Sequence, residues 1–425
     1  MNNERRHKSR YWVIGKGACV GAVLVLLWLT SVGAVHEHDN EQEPTVEELL
    51  PVEHASYSPI ELQLGQPGFV EAGDFDGDGH TDLVLITFAE SEKEGHVMNH
   101  VHMVKVDWQT GGASSRTLYS VQDALPVFYH AVVADLNADG HLDIVVADSS
   151  AGAIIVFWGD GRGSFMQEAL ELGHQGFITS LGVADFDGDG SSDLVYVDVV
   201  LGHVGVLWND KNTRFSSRTL YTFPRGHVPG TLVVGDFTND GHHDLAILGA
   251  REEGAGFVHS LTVLSTGGGR AVTLLSTVNI GAPDRMERPV LAASDIDRDG
   301  HLDLITVRNQ YTYILLGKGD GTFVVRRWYP LLQALLVSQV ILADIDSDGC
   351  PNEIVLGMLT PCLWLSTGCY GSNRYVLVAP YAGIPMSAVV ADVNDDGQLD
   401  VIIASNSGLG STYLEVLFGR ARGAP

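Results

Sequence analysis

Beyond residue 54 the apolar positions fall in short runs. Leu83-Val84-Leu85-Ile86, Ile144-Val145-Val146 and Leu194-Val195-Tyr196-Val197 each follow a polar stretch rich in Asp and Gly. Aliphatic runs of this length, rich in β-branched residues and bounded by turn residues, predict buried strands. The surroundings of each run repeat. An apolar strand such as Ala131-Val132-Val133-Ala134 enters the acidic stretch, and the second strand leaves it. A short turn leads to a third strand, as in Ala153-Ile154-Ile155-Val156-Phe157-Trp158. A Gly-rich loop comes next, Gly159-Asp160-Gly161-Arg162-Gly163-Ser164-Phe165. A fourth, more polar strand closes the unit, as in Ser217-Arg218-Thr219-Leu220-Tyr221.

The acidic stretch is itself a repeat. Asp74-Phe75-Asp76-Gly77-Asp78-Gly79-His80-Thr81-Asp82-Leu83 reads D-x-D-x-D-G-x-x-D-L. Near copies begin at Asp135, Asp185, Asp236, Asp295, Asp344 and Asp392, at spacings of 61, 50, 51, 59, 49 and 48 residues. A period near fifty predicts a repeat architecture. Four antiparallel strands per unit make a propeller blade, and seven units make a ring. The expected fold is therefore all-β, a seven-bladed β-propeller over residues 55–425. The chain stops after a third-strand pattern, Tyr413-Leu414-Glu415-Val416-Leu417-Phe418-Gly419, so the last blade lacks its fourth strand. Ser58-Pro59-Ile60-Glu61-Leu62-Gln63-Leu64 is expected to supply it and close the ring, which removes the unpaired edges of an open array.

The ten-residue stretch carries calcium chemistry. Ca²⁺ takes six to eight oxygens at roughly 2.3–2.6 Å. Alternate acids in a tight loop converge on one point, and Gly at the sixth position permits a positive φ. An EF-hand begins alike but places its last acid at position twelve, before a helix. Here the last acid is at position nine and a strand comes after it, which excludes the EF-hand.

The combination of a strand, D-x-D-x-D-G-x-x-D-L, a strand and G-x-G-D-G-x-F resembles the FG-GAP/VCBS repeat of the integrin α-subunit β-propeller and related secreted proteins. The resemblance covers about residues 55–425. It implies a propeller with structural Ca²⁺ sites that serves as a binding module. It does not imply a particular partner, because one fold hosts many functions.

The loops differ in their oxygen sets. Asp74, Asp76, Asp78 and Asp82 fill positions one, three, five and nine, as do Asp185, Asp187, Asp189 and Asp193, and Asp295, Asp297, Asp299 and Asp303. Asn137 replaces the third-position acid among Asp135, Asp139 and Asp143, and Asn394 does so among Asp392, Asp396 and Asp400. Thr238 is a poorer ligand among Asp236, Asp240 and Asp244. The sixth loop has Asp344, Asp346 and Asp348, then Cys350-Pro351-Asn352-Glu353-Ile354. Counted strictly, Asn352 is position nine. With one inserted residue the ninth ligand becomes Glu353, which is the favoured reading. Position seven contributes a backbone carbonyl, so His80, His141, His242 and His301 need not be ligands. Up to seven structural Ca²⁺ are expected.

The formal net charge is −28 over 425 residues. Nucleic acid is excluded as the default partner, since phosphate binding needs a basic face. The loops account for 24 of the carboxylates. Residues 1–34 begin with Arg5, Arg6, Lys8, Arg10 and Lys16 and continue into an uncharged run over 17–35, with Val32-Gly33-Ala34 as a cleavage site. Two readings stand, a cleaved signal peptide or an uncleaved anchor, since 19 apolar residues can span a bilayer. In either reading the remainder of the chain is exported. Residues 35–54 are acidic and aperiodic, and read as a flexible linker.

Of the four cysteines, Cys19 lies in the N-terminal segment. Cys350 and Cys369 fall in two loops at the same end of blade six and are expected to form a disulfide, with Cys362 free and buried. His96, His100 and His102 form H-x₃-H-x-H, and the favoured reading is polar positions on an exposed outer strand over a zinc site. No nucleophile elbow, Walker loop or C-x-x-C motif occurs. Blades one and four owe their longer spacings to their second-to-third-strand turns, Ala89–His96 and Gly249–Gly256. The expected function is an exported, monomeric module that binds an extracellular protein or glycan. The alternative is a secreted polysaccharide lyase or hydrolase with acids at the channel mouth.

Overall fold

The computed structural model describes residues 52–420, except 56–57, 94, 124–129, 150, 212–213, 255, 285–289, 309–310, 331–336, 358–361, 368–373, 379–382 and 408–409. Its strands form seven antiparallel sheets. Blade one runs Gln66–Gly73, Asp82–Glu90, Val97–Asp107 and Gly112–Asp123, in chain order across the sheet. Blades two to six repeat that order. The first strands of successive blades touch one another all the way round, with Ile384–Ala391 of blade seven against Gln66–Gly73 of blade one. The ring is closed, as the repeat predicts.

Closure uses two N-terminal pieces. Ile60–Leu62 pairs antiparallel with Thr412–Leu414 of the last strand, in the expected segment. Val52–His54 pairs further along it, with Leu417–Gly419. The strand at Val52–His54 shortens the linker expected over 35–54. Residues 1–51, with the expected signal or anchor, lie outside the described residues. Among the described residues no helix is long and apolar enough to cross a membrane.

The second strands explain the continuous apolar runs. Asp143–Asp148 and Asp193–Asp198 are buried at every position because a sheet lies against each face. Alternate residues serve opposite neighbours. Ile144 and Val146 pack with Phe75, Val84 and Val101 of blade one. Val145 and Ala147 pack with Leu181, Leu194 and Tyr196 of blade three. Fourth strands form the rim, and Gly112–Asp123 is mostly exposed, which suits its Ser-rich sequence.

One first strand breaks the apolar rule. Glu71 pairs with Val84, and the same place in the other blades holds Val132, Gly182, Val233, Ala292, Ile341 and Val389. Loss of hydration pushes the Glu71 carboxyl up to about 8, against a lowering hydrogen bond from Ala72. Its folded pKa exceeds its unfolded one, so the unfolded chain loses this proton first and stability falls as pH rises from about 4.5 to about 8. Glu71→Gln should therefore stabilise the fold at pH 8, by about 1–2 kcal/mol because the side chain is only half-buried. The gain should vanish near pH 4. Denaturant unfolding of both proteins at the two pH values checks this, and an equal gain at both would refute the titration argument.

Candidate metal centres in the seven loops

Each acidic loop joins the first and second strands of its blade, so all seven lie at one end of the ring. The first aspartate folds the loop over itself. Asp135 accepts the N–H groups of Asp139 at 3.1 Å and Gly140 at 2.8 Å. Asp185, Asp236, Asp295, Asp344 and Asp392 repeat both bonds. Asp74 accepts from Gly77 and Gly79. The fifth-position carboxylate accepts the N–H of position seven in all seven loops. The sixth-position glycines have φ between 80° and 89°, as expected. Position four is left-handed too, at 51° to 74°, although Ala138, Asn239, Arg298, Ser347 and Asp395 occupy it in five loops.

The ninth-position aspartate is the buried anchor. Asp143, Asp193, Asp244, Asp303 and Asp400 are 0% exposed and Asp82 is 2% exposed. One oxygen accepts the N–H of the apolar residue at position two: Leu136, Phe186, Phe237, Ile296 or Val393, at 2.9–3.1 Å. The other accepts an N–H at the end of the third strand: Gly159, Asn209, Gly317 or Gly419, at 2.7–2.9 Å. Glycine stands at three of these four places because a Cβ there would come within 2.2–2.3 Å of the carbonyl oxygen of Leu142, Leu302 or Leu399. The recurrent spacing between acidic and Gly-rich loops thus has a mechanical cause.

Neighbouring blades are locked at this end as well. Gly163 of blade two donates to the Phe75 carbonyl of blade one, and Gly321 of blade five to that of Phe237 in blade four. Phe165 meets Phe75 edge-on at 6.1 Å, and Phe323 meets Phe237 at 5.9 Å. The apolar residue at position two therefore serves both a hydrogen bond and an interblade contact. Its recurrence in all seven loops was the available signal.

Burial and neighbouring carboxylates make these groups costly to ionise without a cation. Desolvation, then Asp76, raises Asp82 to about 7. Desolvation raises Asp143, Asp193 and Asp400 to about 6, and the acids at positions one, three or five add to it. Asp244 and Asp303 move the same way. Three carboxylate oxygens lie within 4.8 Å of one another in the sets Asp74–Asp76–Asp78, Asp185–Asp187–Asp193, Asp295–Asp297–Asp299 and Asp344–Asp346–Asp348. Asp76 Oδ1, Asp82 Oδ2 and Asp297 Oδ1 are buried without a hydrogen-bond partner. A hard divalent cation fits such oxygen-only sets.

The other three loops converge less. Asn137 Nδ2 donates to Asp139 and Asn394 Nδ2 to Asp396. Thr238 Oγ1 donates to Asp244 at 3.0 Å. These amide and hydroxyl groups spend their donors on carboxylates inside the loop. Two loops hold an internal counter-ion that the sequence pattern did not reveal. Lys105 bridges Asp76 and Asp78. Arg270 of blade four reaches Asp187 at 2.6 Å and Asp210 at 2.5 Å in blade three, with its guanidinium over the Trp208 ring.

Three expectations need correction or limit. Asn352, not Glu353, takes position nine of the sixth loop. It pairs with Ala343 as Asp143 pairs with Ala134, and its Oδ1 accepts the Ile345 N–H at 2.7 Å. Glu353 keeps the strand register and enters the core at 3% exposure, where Thr312 of blade five donates to it and burial pushes it up to about 8. No residue is inserted. His102 is not on an exposed outer strand. It is 3% exposed in the third strand of blade one, and its ring nitrogens lie 3.0 Å from the Thr87 and Thr117 hydroxyls. Both nitrogens are committed, so it offers none to zinc. Cys350 is disulfide-bonded; Cys369 and the Cys362 side chain lie outside the described residues.

The FG-GAP-like repeat model matches residues 135–196, 192–247 and 295–355. Three stretches of this chain therefore match the FG-GAP-like repeat. FG-GAP propellers are typically non-enzymatic binding modules. No curated protein matches the sequence. Among solved structures, BBS1N from its complex with ARL6DN is similar at 13% identity and a TM-score of 0.52, covering 85% of this chain and 94% of that one. A Lactobacillus plantarum protein is similar at 16% identity and a TM-score of 0.50, covering 74% and 85%. At these identities the likeness shows the fold alone.

If the loops hold Ca²⁺, removing it should lower the melting temperature of residues 36–425 by several degrees, reversibly. Each site at ~0.1 mM affinity and ~1 mM free Ca²⁺ contributes about 1.4 kcal/mol. Asp185→Ala should remove more of the calcium-dependent rise than Asp236→Ala. A melt unchanged after verified metal removal would sink the calcium reading. Glu353→Gln should leave the calcium response intact, whereas Asn352→Ala should cost about 1–3 kcal/mol by stranding the Ile345 N–H. Loss of the calcium response in Glu353→Gln would reverse the assignment.

Proposed function

We propose that this FG-GAP repeat protein is an exported, calcium-stabilised, monomeric module that binds a protein or glycan partner. Calcium is structural in this reading, since the acidic loops hold the blade ends together and are already occupied by that task. The observation that carries partner binding is the uneven far face of the ring. Second and third strands are 6 and 7 residues long in blades two, three and five. In blade one they are 9 and 11, and in blade four both are 10. Three extra residues per strand extend a hairpin by about 10 Å. Both hairpins rise from the end opposite the acidic loops, and both bear charge at their tips: Glu90, Glu92 and Lys93 in one, Arg251, Glu252 and Glu253 in the other.

The same face carries exposed apolar surface. Val200 and Leu201, in the second-to-third-strand turn of blade three, are 70% and 43% exposed. Loops on a rigid scaffold are where binding residues concentrate. The acidic tips favour a basic protein patch or a glycan over a polyanion.

The test is a glycan and cell-surface-protein binding screen of residues 36–425 in Ca²⁺. Each hit is then measured against a variant whose two hairpins are cut to the tight turns of blades two and three. Binding should drop at least tenfold while the calcium-dependent melt is retained. Equal affinity in the folded, calcium-loaded variant would reject these hairpins as the contact surface.

A further inference from the structure

A second kind of metal-ligating cluster lies at the opposite end of the ring from the acidic loops. His174 is in the connection from blade two to blade three, after Phe165–Glu171 and before Ile178–Ala184. Asp198 ends the second strand of blade three and His203 begins the third, as hairpin partners across the turn. One ligand atom from each of the three lies within 4.8 Å of the other two. His174 Nδ1 is 3.7 Å from Asp198 Oδ2, and the two imidazole rings meet edge-to-face at 5.3 Å. Asp198 is 0% exposed and His203 7% exposed. His174 Nδ1, Asp198 Oδ2 and His203 Nε2 are all buried without a hydrogen-bond partner.

The cluster is built. Asp198 Oδ1 accepts the N–H groups of Phe177, Val200 and Leu201, at 3.3, 2.9 and 2.9 Å. Those bonds fix the carboxylate and leave Oδ2 toward the two histidines. Gly176 makes the space, since a Cβ there would lie 1.6 Å from Oδ2. The Tyr196 ring stands against both imidazoles, at 6.4 and 5.9 Å. Blade two shows the same turn without the cluster. Asp148 holds the place of Asp198, but Ala153 stands where His203 does, and the Tyr119 hydroxyl donates to Asp148 Oδ2. In blade three the corresponding oxygen has two imidazoles instead of a donor. Three buried ligand atoms without a hydrogen bond are expensive by themselves, and one cation would satisfy all three.

We propose that His174, Asp198 and His203 bind one Zn²⁺, or a borderline divalent cation of similar size, independently of the calcium loops. Two imidazoles and one carboxylate suit zinc and disfavour calcium, which takes oxygens. Three protein ligands leave a fourth position for water, and His174, the partly exposed member, lies on the open side. The three N–H groups on Asp198 Oδ1 play the orienting part that supporting hydrogen bonds play in known metal sites. The bound ion would tie the blade-two connection to the hairpin of blade three.

The experiment uses untagged full-length protein, stripped of metal and resupplied with saturating Ca²⁺ so that the acidic loops are filled. Zn²⁺ is titrated against a chromophoric chelator, and Co²⁺ is added separately to read its visible absorption. The expected result is one Zn²⁺ per chain and an intense four-coordinate Co²⁺ spectrum. Asp198→Asn keeps an oxygen for the three backbone donors, and His174→Ala alters a partly exposed side chain. Both should lose the stoichiometric uptake and the cobalt spectrum while retaining the wild-type calcium response. The inference is overturned if the wild type takes up no Zn²⁺ beside Ca²⁺. It is equally overturned if both variants, folded by their circular dichroism, bind Zn²⁺ as the wild type does. Failure of calcium binding would leave this result readable, because the zinc signal does not pass through the acidic loops.

Discussion

The buried aspartate at the ninth loop position is the contact on which the blades depend. Its two oxygens take N–H groups from two different places, the start of its own loop and the end of the third strand. One carboxylate therefore ties two loops of a sheet across the second strand. An ordinary hydrogen bond contributes about 1 kcal/mol net, and one to a charged group about 1.5–3. The larger consequence of losing it is two stranded backbone donors in a site that is 0% exposed. The cost of burying the charge appears in its raised proton affinity. A cation held by the acids at positions one, three and five would lower that cost and so link metal binding to the fold.

Much of this was legible in the sequence because a repeat averages out local ambiguity. Seven copies at near-constant spacing establish the blade and the ring where a single loop would not. What stayed hidden depends on register or on contacts distant in sequence. Glu353 invited an inserted residue because six other loops have an aliphatic residue at that place. The strand pairing keeps Asn352 opposite Ala343, and the core accepts the glutamate because Thr312 of the next sheet donates to it. His102 looked solvent-facing from alternation alone, yet third strands lie inside the rim. Lys105 and Arg270 carry no motif, and Arg270 is 83 residues from Asp187. The His174–Asp198–His203 cluster is invisible to any spacing rule, since an interblade connection and a hairpin turn bring it together.

The internal cations set a gradient among the loops. Where Lys105 bridges Asp76 and Asp78, an incoming ion must displace an ammonium group already held by two carboxylates. The same applies to Arg270 at Asp187, with the added stacking on Trp208. Both cations are substantially exposed, so their pairs are weak enough to yield. The fifth loop, Asp295–Asp297–Asp299–Asp303, has a complete acid set and no such pair among the described residues. Such an internal cation would separate the affinities of loops that share the same ligand count.

The two ends of the ring differ in what constrains them. At the acidic end the bond from position seven to the fifth-position carboxylate recurs in all seven loops and the other loop bonds in most, so a substitution there disturbs loop and strand together. At the other end the hairpins bond to the adjoining interblade connections, and length and composition vary from blade to blade at low cost in stability. That freedom accommodates the long hairpins of blades one and four and the histidines of blade three. A surface free to vary without unfolding the ring is where specificity can accumulate. The partner site proposed on the far face would follow from the mechanics of the near one.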